Sequence, residues 1–312
     1  MAKGQDVLAL AKAALSMNRE QVIHVCKCIV ANESETSSLR FNLDRVLAST
    51  AGSPVVSDIL PRELKGLLLL EDPRLGLSDT VLPETVKSEL DWALEDQVYS
   101  DALHDAGLSV PHKMLLSGPP GNGKTTLAGA IANALGRPLL VADFSAIVSS
   151  HMGETGSKIA KIFRGVAAQP CVLLIDEMET LLAERAGQQG TLEVGEAKRI
   201  VSTTLMELDR LPDHVLLVGA TNHSEMLDRA VVRRFDFHWE LPAPDEFMVD
   251  IWLQMFAKRH PMIPIRSEMP AIPADGRSLS DIEREAKKWC RRWVVNNCKG
   301  ARHKAQEMEG AE

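Results

Sequence analysis

The sequence predicts an α/β fold built on a parallel sheet, and three observations carry that expectation. The apolar runs Val172 to Ile175 and Val215 to Gly219 are continuous rather than alternating, as strands covered on both faces require. Segments of helical periodicity alternate with such runs from Leu77 to Leu241. Between the apolar Met114-Leu115-Leu116 and an Ala-rich helical pattern stands GPPGNGKT, Gly118 to Thr125, which fits G-x-x-x-x-G-K-[ST].

Taken in order, residues 1–50 hold three short helical patterns and predict a small N-terminal helical unit, with Asn18 and Gln21 as cap and capping-box partner. It carries no chemistry and reads as a docking or assembly appendage. Residues 51–76 contain Gly52, Pro54, Pro61, Pro73 and Gly76 and read as a linker with a short helical insert around Glu63 to Leu70. The α/β part, 77–242, follows. It opens on a helix from Glu84 to Tyr99, and its strands are Lys113 to Ser117, Pro138 to Ala142, Cys171 to Ile175 and Val215 to Gly219. Helices are expected at Thr125 to Leu135, around Ile159 to Ala168, and at Glu196 to Asp209.

Beyond Leu241 the strands stop and prolines punctuate a helical part, 243–300, with helices near Asp245 to Lys258 and Ser278 to Asn297, then a tail, 301–312. On the last helix Ile282, Ala286, Trp289, Cys290, Trp293 and Val294 share one face and predict core. Arg284, Lys287, Lys288, Arg291 and Arg292 cover the rest, as a solvated or subunit-facing surface or, alternatively, one for nucleic acid or anionic membrane.

Composition narrows the classes. The 312 residues are 45% hydrophobic with a formal net charge of −8, which argues against a dedicated nucleic-acid binder. Five cysteines form no CxxC pair or zinc spacing and read as reduced thiols. Lys12 interrupts the N-terminal apolar run, so no signal peptide is expected, and Leu67 to Leu70 is too short to span a bilayer. The expectation is a cytoplasmic protein.

The chemistry sits at strand ends. Gly118, Gly121 and Gly123 let the backbone curl so that successive N–H groups face nucleotide phosphates, with Pro119, Pro120, Asn122 and Thr126 completing the contact segment. Lys124 would reach the β and γ phosphates, Thr125 would give its hydroxyl to Mg²⁺, and the helix beginning there points its positive end at the same anion. The run CVLLIDE ends in Asp176, a second magnesium ligand, and Glu177, placed to activate water. Asn222, after the strand that ends at Gly219, could hydrogen-bond the attacking water or the γ phosphate, or serve as a turn residue. The cofactors implied are ATP and Mg²⁺.

Together with LDRAVVRRFD at 227–236 and SLSDIEREA at 278–286, these motifs resemble a single AAA module over residues 77–300, in the branch without a sensor-2 arginine. The resemblance implies a P-loop NTPase domain with a small helical lid, assembled as a hexamer with ATP between subunits. It also implies ATP hydrolysis, with Asn222 at the sensor-1 position. Arg233 and Arg234 fall on the arginine-finger box, which stabilises charge on the phosphoryl group in the neighbouring subunit's site. They are adjacent here, where the commonest form has Pro-Gly between them, so the principal finger is either one. A surface arginine pair beside Asp236 is the plain alternative. Ser149 to Glu154 falls on a pore segment, with His151 and Met152 where relatives place an aromatic followed by an apolar residue. The layout, a short helical N-terminal unit plus one AAA module with an R-R-F-D box, also resembles bacterial ATPases encoded beside subtilisin-like proteases. Three activities follow as expectations: remodelling or translocation of a protein, an ATP-dependent scaffold or switch controlling a partner such as a protease, and a DNA-acting motor or loader.

Overall fold

A computed structural model describes residues 64, 66–73, 75–142, 147, 154–182 and 191–309, with the side chains of 181–182, 191–197 and 299–309 left aside. The chain divides into two compact units, Met1–Lys65 and Gly66–Glu312, and the description falls almost wholly in the second. The expected N-terminal helical patterns, and the pore segment up to Gly153, lie outside the described residues.

Six strands form one sheet among the described residues: β1 (Leu68–Glu71), β2 (Lys113–Ser117), β3 (Leu139–Ala142), β4 (Cys171–Ile175), β5 (Val215–Thr221) and β6 (Phe237–Glu240), in the order β1-β3-β4-β5-β2-β6. Only β1 runs antiparallel; every other pairing is parallel. All residues of β4 and β5 are buried, which accounts for the apolar runs Cys171 to Ile175 and Val215 to Ala220, with Thr221 the one buried polar residue at the end of β5. Each Leu or Val so enclosed contributes about 1.5–3 kcal/mol of apolar burial.

Helices cover the sheet. The first, α1 (Glu84–Val98), buries Val86, Leu90, Ala93 and Gln97 along one stripe and is followed by the short α2 (Ser100–Asp105). Next come α3 (Lys124–Leu135), α4 (Glu154–Val166), α5 (Glu179–Leu182), α6 (Thr191–Arg210) and α7 (Arg229–Val232). After β6 the chain is helical: α8 (Glu246–Arg259), α9 (Ile265–Glu268) and α10 (Leu279–Glu309). Here Val249, Trp252, Phe256, Ile265, Ile282 and Ala286 build a separate apolar cluster, with the Trp252 and Phe256 rings stacked at 4.8 Å. No described helix is long and apolar enough to cross a membrane.

Three readings need correction. Leu68 to Leu70, read as the end of a helical insert in a linker, belong to β1, which pairs Leu68 with Ala142 and extends the sheet. A four-leucine run has no periodicity of its own, and pairing with β3 decides its conformation. The short strand β6 was not anticipated, because in FHWE only alternate residues face the core. The core face of α10 also ends sooner than its spacing suggests: Cys290 is buried, but Val294 is 42% exposed. The helix has run past the cluster it packs on.

Burial pushes the Cys171 thiol up to about 12, whereas Cys298 is exposed. Iodoacetamide at pH 8 followed by peptide mapping should therefore modify Cys298 readily and reach Cys171 only after unfolding. Rapid native labelling of Cys171 would contradict the sheet interior described here.

Candidate nucleotide site

The site forms where β2, β4 and β5 end side by side. In the parallel ladder Ser117 lies opposite Thr221 and Ile175 opposite Gly219. The residues that leave these strands, Gly118, Asp176 and Asn222, therefore emerge along one edge of the sheet.

The loop after β2 depends on missing side chains. Gly118 has φ 135°, and a Cβ there would collide with the carbonyl of Leu241, whose own N–H donates to Ser117 O at 2.8 Å. Gly121, at φ 80°, would press a Cβ onto the Ser278 hydroxyl at 2.9 Å. Asn122 is buried: its Oδ1 accepts from the Leu279 N–H at 3.1 Å, while its Nδ2 has no partner. Ser280 donates from both its N–H and its hydroxyl to Gly121 O, each at 3.0 Å. The loop is thereby fastened to the first turn of α10. That turn is closed by Ser278 and Asp281, whose hydroxyl and carboxylate meet at 2.7 Å.

Lys124 donates to Gly118 O at 2.7 Å, Pro119 O at 3.0 Å and Asn222 Oδ1 at 2.8 Å. Burial pushes its ammonium below the usual lysine range, while Asp176 and Glu179 pull the other way. Thr125 donates its hydroxyl to Asp176 Oδ2 at 2.7 Å. Hydroxyl and carboxylate are hard oxygen donors of the kind magnesium takes. Glu177 is exposed and holds φ 51°, an uncommon conformation for a residue with a side chain. Three hydrogen bonds stabilise that turn: Glu177 N–H to Asp176 Oδ1, Met178 N–H to Ala220 O and Thr180 N–H to Glu177 O. Beneath it, a Cβ on Gly219 would meet the Met178 sulfur and the Phe235 ring.

These groups open on one cavity of about 340 Å³. Pro120 to Thr126, Asp176, Glu177 and Asn222 line it, and Val81, Leu82, Trp252 and Leu279 add apolar wall. An anion cradle beside an apolar slot fits a nucleoside triphosphate. The fit is supported by the orphaned Asn122 amide and by glycines whose Cβ atoms would fill the loop.

Some participants were not foreseen. Glu179, in the first turn of α5, accepts the Asn222 N–H at 3.2 Å and keeps a second oxygen buried without a partner. Its only signal was a third acid just beyond Asp176 and Glu177. The apolar wall of the cavity left no motif, since it comes from a segment before α1 and from two later helices. Arg259, at the end of α8, lies 3.9 Å from Asp79 and lines the same cavity.

Arg233 and Arg234 do not line the cavity. Arg234 grips Asp209 with two nitrogens, at 2.7 and 3.0 Å, and also donates to Ala230 O. This hydrogen bonding raises the Arg234 pKa and lowers that of Asp209. Arg233 is exposed and makes no ion pair among the described residues. Asp236 serves neither arginine: its Oδ2 accepts from the N–H groups of His112 and Lys113 at the start of β2.

Residues 114–243 match the family described as the ATPase family associated with various cellular activities, AAA. The chain carries an AAA ATPase domain. It is 29% identical to "Uncharacterized AAA family ATPase y4kL" of Sinorhizobium fredii, over 91% of this chain and 87% of that protein. It is also 33% identical to the "Cell division cycle protein 48 homolog" of Archaeoglobus fulgidus, over 69% of this chain and 30% of the relative. The "ATP-dependent zinc metalloprotease FtsH 1" of Symbiobacterium thermophilum is 35% identical over 54% of this chain and 29% of the relative. The AAA domain is thus shared with much longer proteins.

Gly118→Ala should break the contact with Leu241. We expect a loss of roughly 2 kcal/mol or more in unfolding free energy and no detectable binding of a fluorescent ATP analogue. Wild-type values in both measurements would show that the loop tolerates a side chain there.

Proposed function

We propose that this protein is an ATP-driven AAA ring, a hexamer of the cytoplasm, that remodels or translocates a protein. Supporting this reading is one observation: the arginines of the RRFD segment lie outside the chain's own cavity, while every other expected group lines or adjoins it. A site with its own anion cradle, magnesium donors and base, but whose free arginine is presented elsewhere, is suited to completion by a second subunit.

In this reading the loop N–H groups and Lys124 bind the triphosphate, with Lys124 exchanging the Gly118 and Pro119 carbonyls for phosphate oxygens. Thr125 and Asp176 hold magnesium, which when bound neutralises charge on the phosphates. Glu177 takes a proton from the attacking water, and Asn222, oriented by Glu179, positions that water or the γ phosphate. Arg233 is the principal finger, because Arg234 is engaged by Asp209 within its own subunit. Arg234 then acts as a positioning residue. Residues 243–300 act as a lid, and the residues before the AAA domain dock a partner. A second reading, a switch controlling a partner such as a protease, is favoured by His151, which puts imidazole where gripping relatives carry an aromatic. Stimulation of ATP turnover by unfolded proteins in general supports the first reading; stimulation by one partner alone supports the second.

Glu177→Gln should bind ATP yet hydrolyse it about 10²–10⁴-fold more slowly. Arg233→Ala should also bind ATP and be inactive, while Arg234→Ala should behave like Asp209→Ala. Mixing Glu177→Gln with Arg233→Ala subunits should partly restore turnover at interfaces that join intact halves. No recovery, with mixed assemblies verified by native mass spectrometry, would rule out completion of the site by a neighbour.

A further inference from the structure

Among the described residues two helix faces carry exposed side chains of opposite charge. On α1 the face opposite the core carries the carboxylates Glu84, Asp91 and Glu95, with Trp92, Val98 and Tyr99 between and beyond them; those three apolar side chains are 67%, 64% and 64% exposed. Lys87 is the one cation within α1. Glu84, Asp91 and Glu95 make no ion pair among the described residues. Large aromatic groups are seldom left this bare on a helix whose other face packs well.

On α10 a groove runs past Asp281, Arg284, Lys288, Trp289 and Arg292, with Arg277 at its head. Arg284 pairs with Asp281 and Arg277 with Glu285, which leaves Lys288 and Arg292 without an ion-pair partner among the described residues. Val295, one turn further along the same stripe, is 45% exposed. From Glu84 to Tyr99 and from Asp281 to Val295 each stripe runs roughly 20 Å. One is acidic and aromatic, the other basic with a tryptophan, and Trp, Tyr and Arg are the side chains that dominate protein interfaces.

We propose that the acidic aromatic face of α1 docks onto the basic tryptophan groove of α10 on a second copy of this chain. The proposal rests on the ring reading and deepens it by naming the surfaces that join neighbours. Because the two faces are different parts of one chain, the contact is head-to-tail; each copy offers one face to each neighbour, and the series closes into a ring when the rotation permits. A polyanion such as DNA or an anionic membrane fits the groove less well, since the chain carries −8 overall and keeps two carboxylates within the groove itself.

The test reverses charge on either face of the full-length chain and reads assembly by native mass spectrometry, with magnesium and a non-hydrolysable ATP analogue. Asp91→Lys with Glu95→Lys makes both faces of a subunit basic; Lys288→Glu with Arg292→Glu makes both acidic. Each variant alone should assemble about 10²-fold more weakly while still binding a fluorescent ATP analogue. An equimolar mixture should recover assemblies in which the two variants are present one to one, and the fourfold variant should assemble by itself. Normal assembly of either single-face variant would overturn the proposal, as would failure of both the mixture and the fourfold variant to recover. So would loss, in the Lys288→Glu, Arg292→Glu protein, of binding to single-stranded DNA or phosphatidylserine vesicles with assembly unchanged. If the wild-type chain does not assemble with nucleotide, the ring reading falls and this contact with it; if it does and the reversals have no effect, only the contact falls.

Discussion

The parallel pairing of β5 with β4 on one side and β2 on the other is the constraint on which the site depends. It sets Ile175 against Gly219 and Ser117 against Thr221, so the chain leaves three adjacent strands at nearly the same height. Thr125 can then reach Asp176, and Lys124 can reach Asn222, across 51 and 98 residues of sequence. A slip of one residue in either ladder would turn a strand-end side chain to the opposite face of the sheet and separate these groups. Complete burial of β4 and β5 specifies the register, since a shift would expose part of their apolar runs or bury the polar residues Asp176 and Asn222 that follow.

What could be read from the sequence follows from that arrangement. Strands buried on both faces leave continuous apolar runs, and a phosphate loop leaves glycines at fixed spacing, so β2 to β5 and the cradle were legible. Edge elements were not. Leu68 to Glu71 and Phe237 to Glu240 become strands because a neighbour pairs with them, and four residues hold too little pattern to announce it. The apolar wall of the cavity escaped for a different reason: Val81, Trp252 and Leu279 are far apart in sequence and are brought together only when the C-terminal helices fold back. Glu179 was visible as an acid, but its engagement with the Asn222 backbone is a tertiary fact. That Arg234, and not Arg233, is engaged within the chain was likewise beyond sequence, because its partner Asp209 lies at the far end of α6.

The same structure explains why the phosphate loop cannot be treated as a feature of the α/β layer alone. Three hydrogen bonds join Gly121 and Asn122 to Leu279 and Ser280, and the capped turn of α10 keeps those donors in place. The second apolar cluster, through Ile282 and Ala286, ties that turn to α8 and so to Trp252, which also lines the cavity. The loop and the apolar wall of the cavity are therefore held to one helical body.

Gly219 has a different consequence. Its bare α-carbon lets Met178 and Phe235 share one socket on β5, and each is the immediate chain neighbour of a residue with a proposed role, Glu177 in one case and Arg234 in the other. With no room for a Cβ in that socket, the turn that carries Glu177 and the segment that carries Arg233 and Arg234 are both packed on the same point of β5. A side chain at position 219 would therefore displace both segments at once.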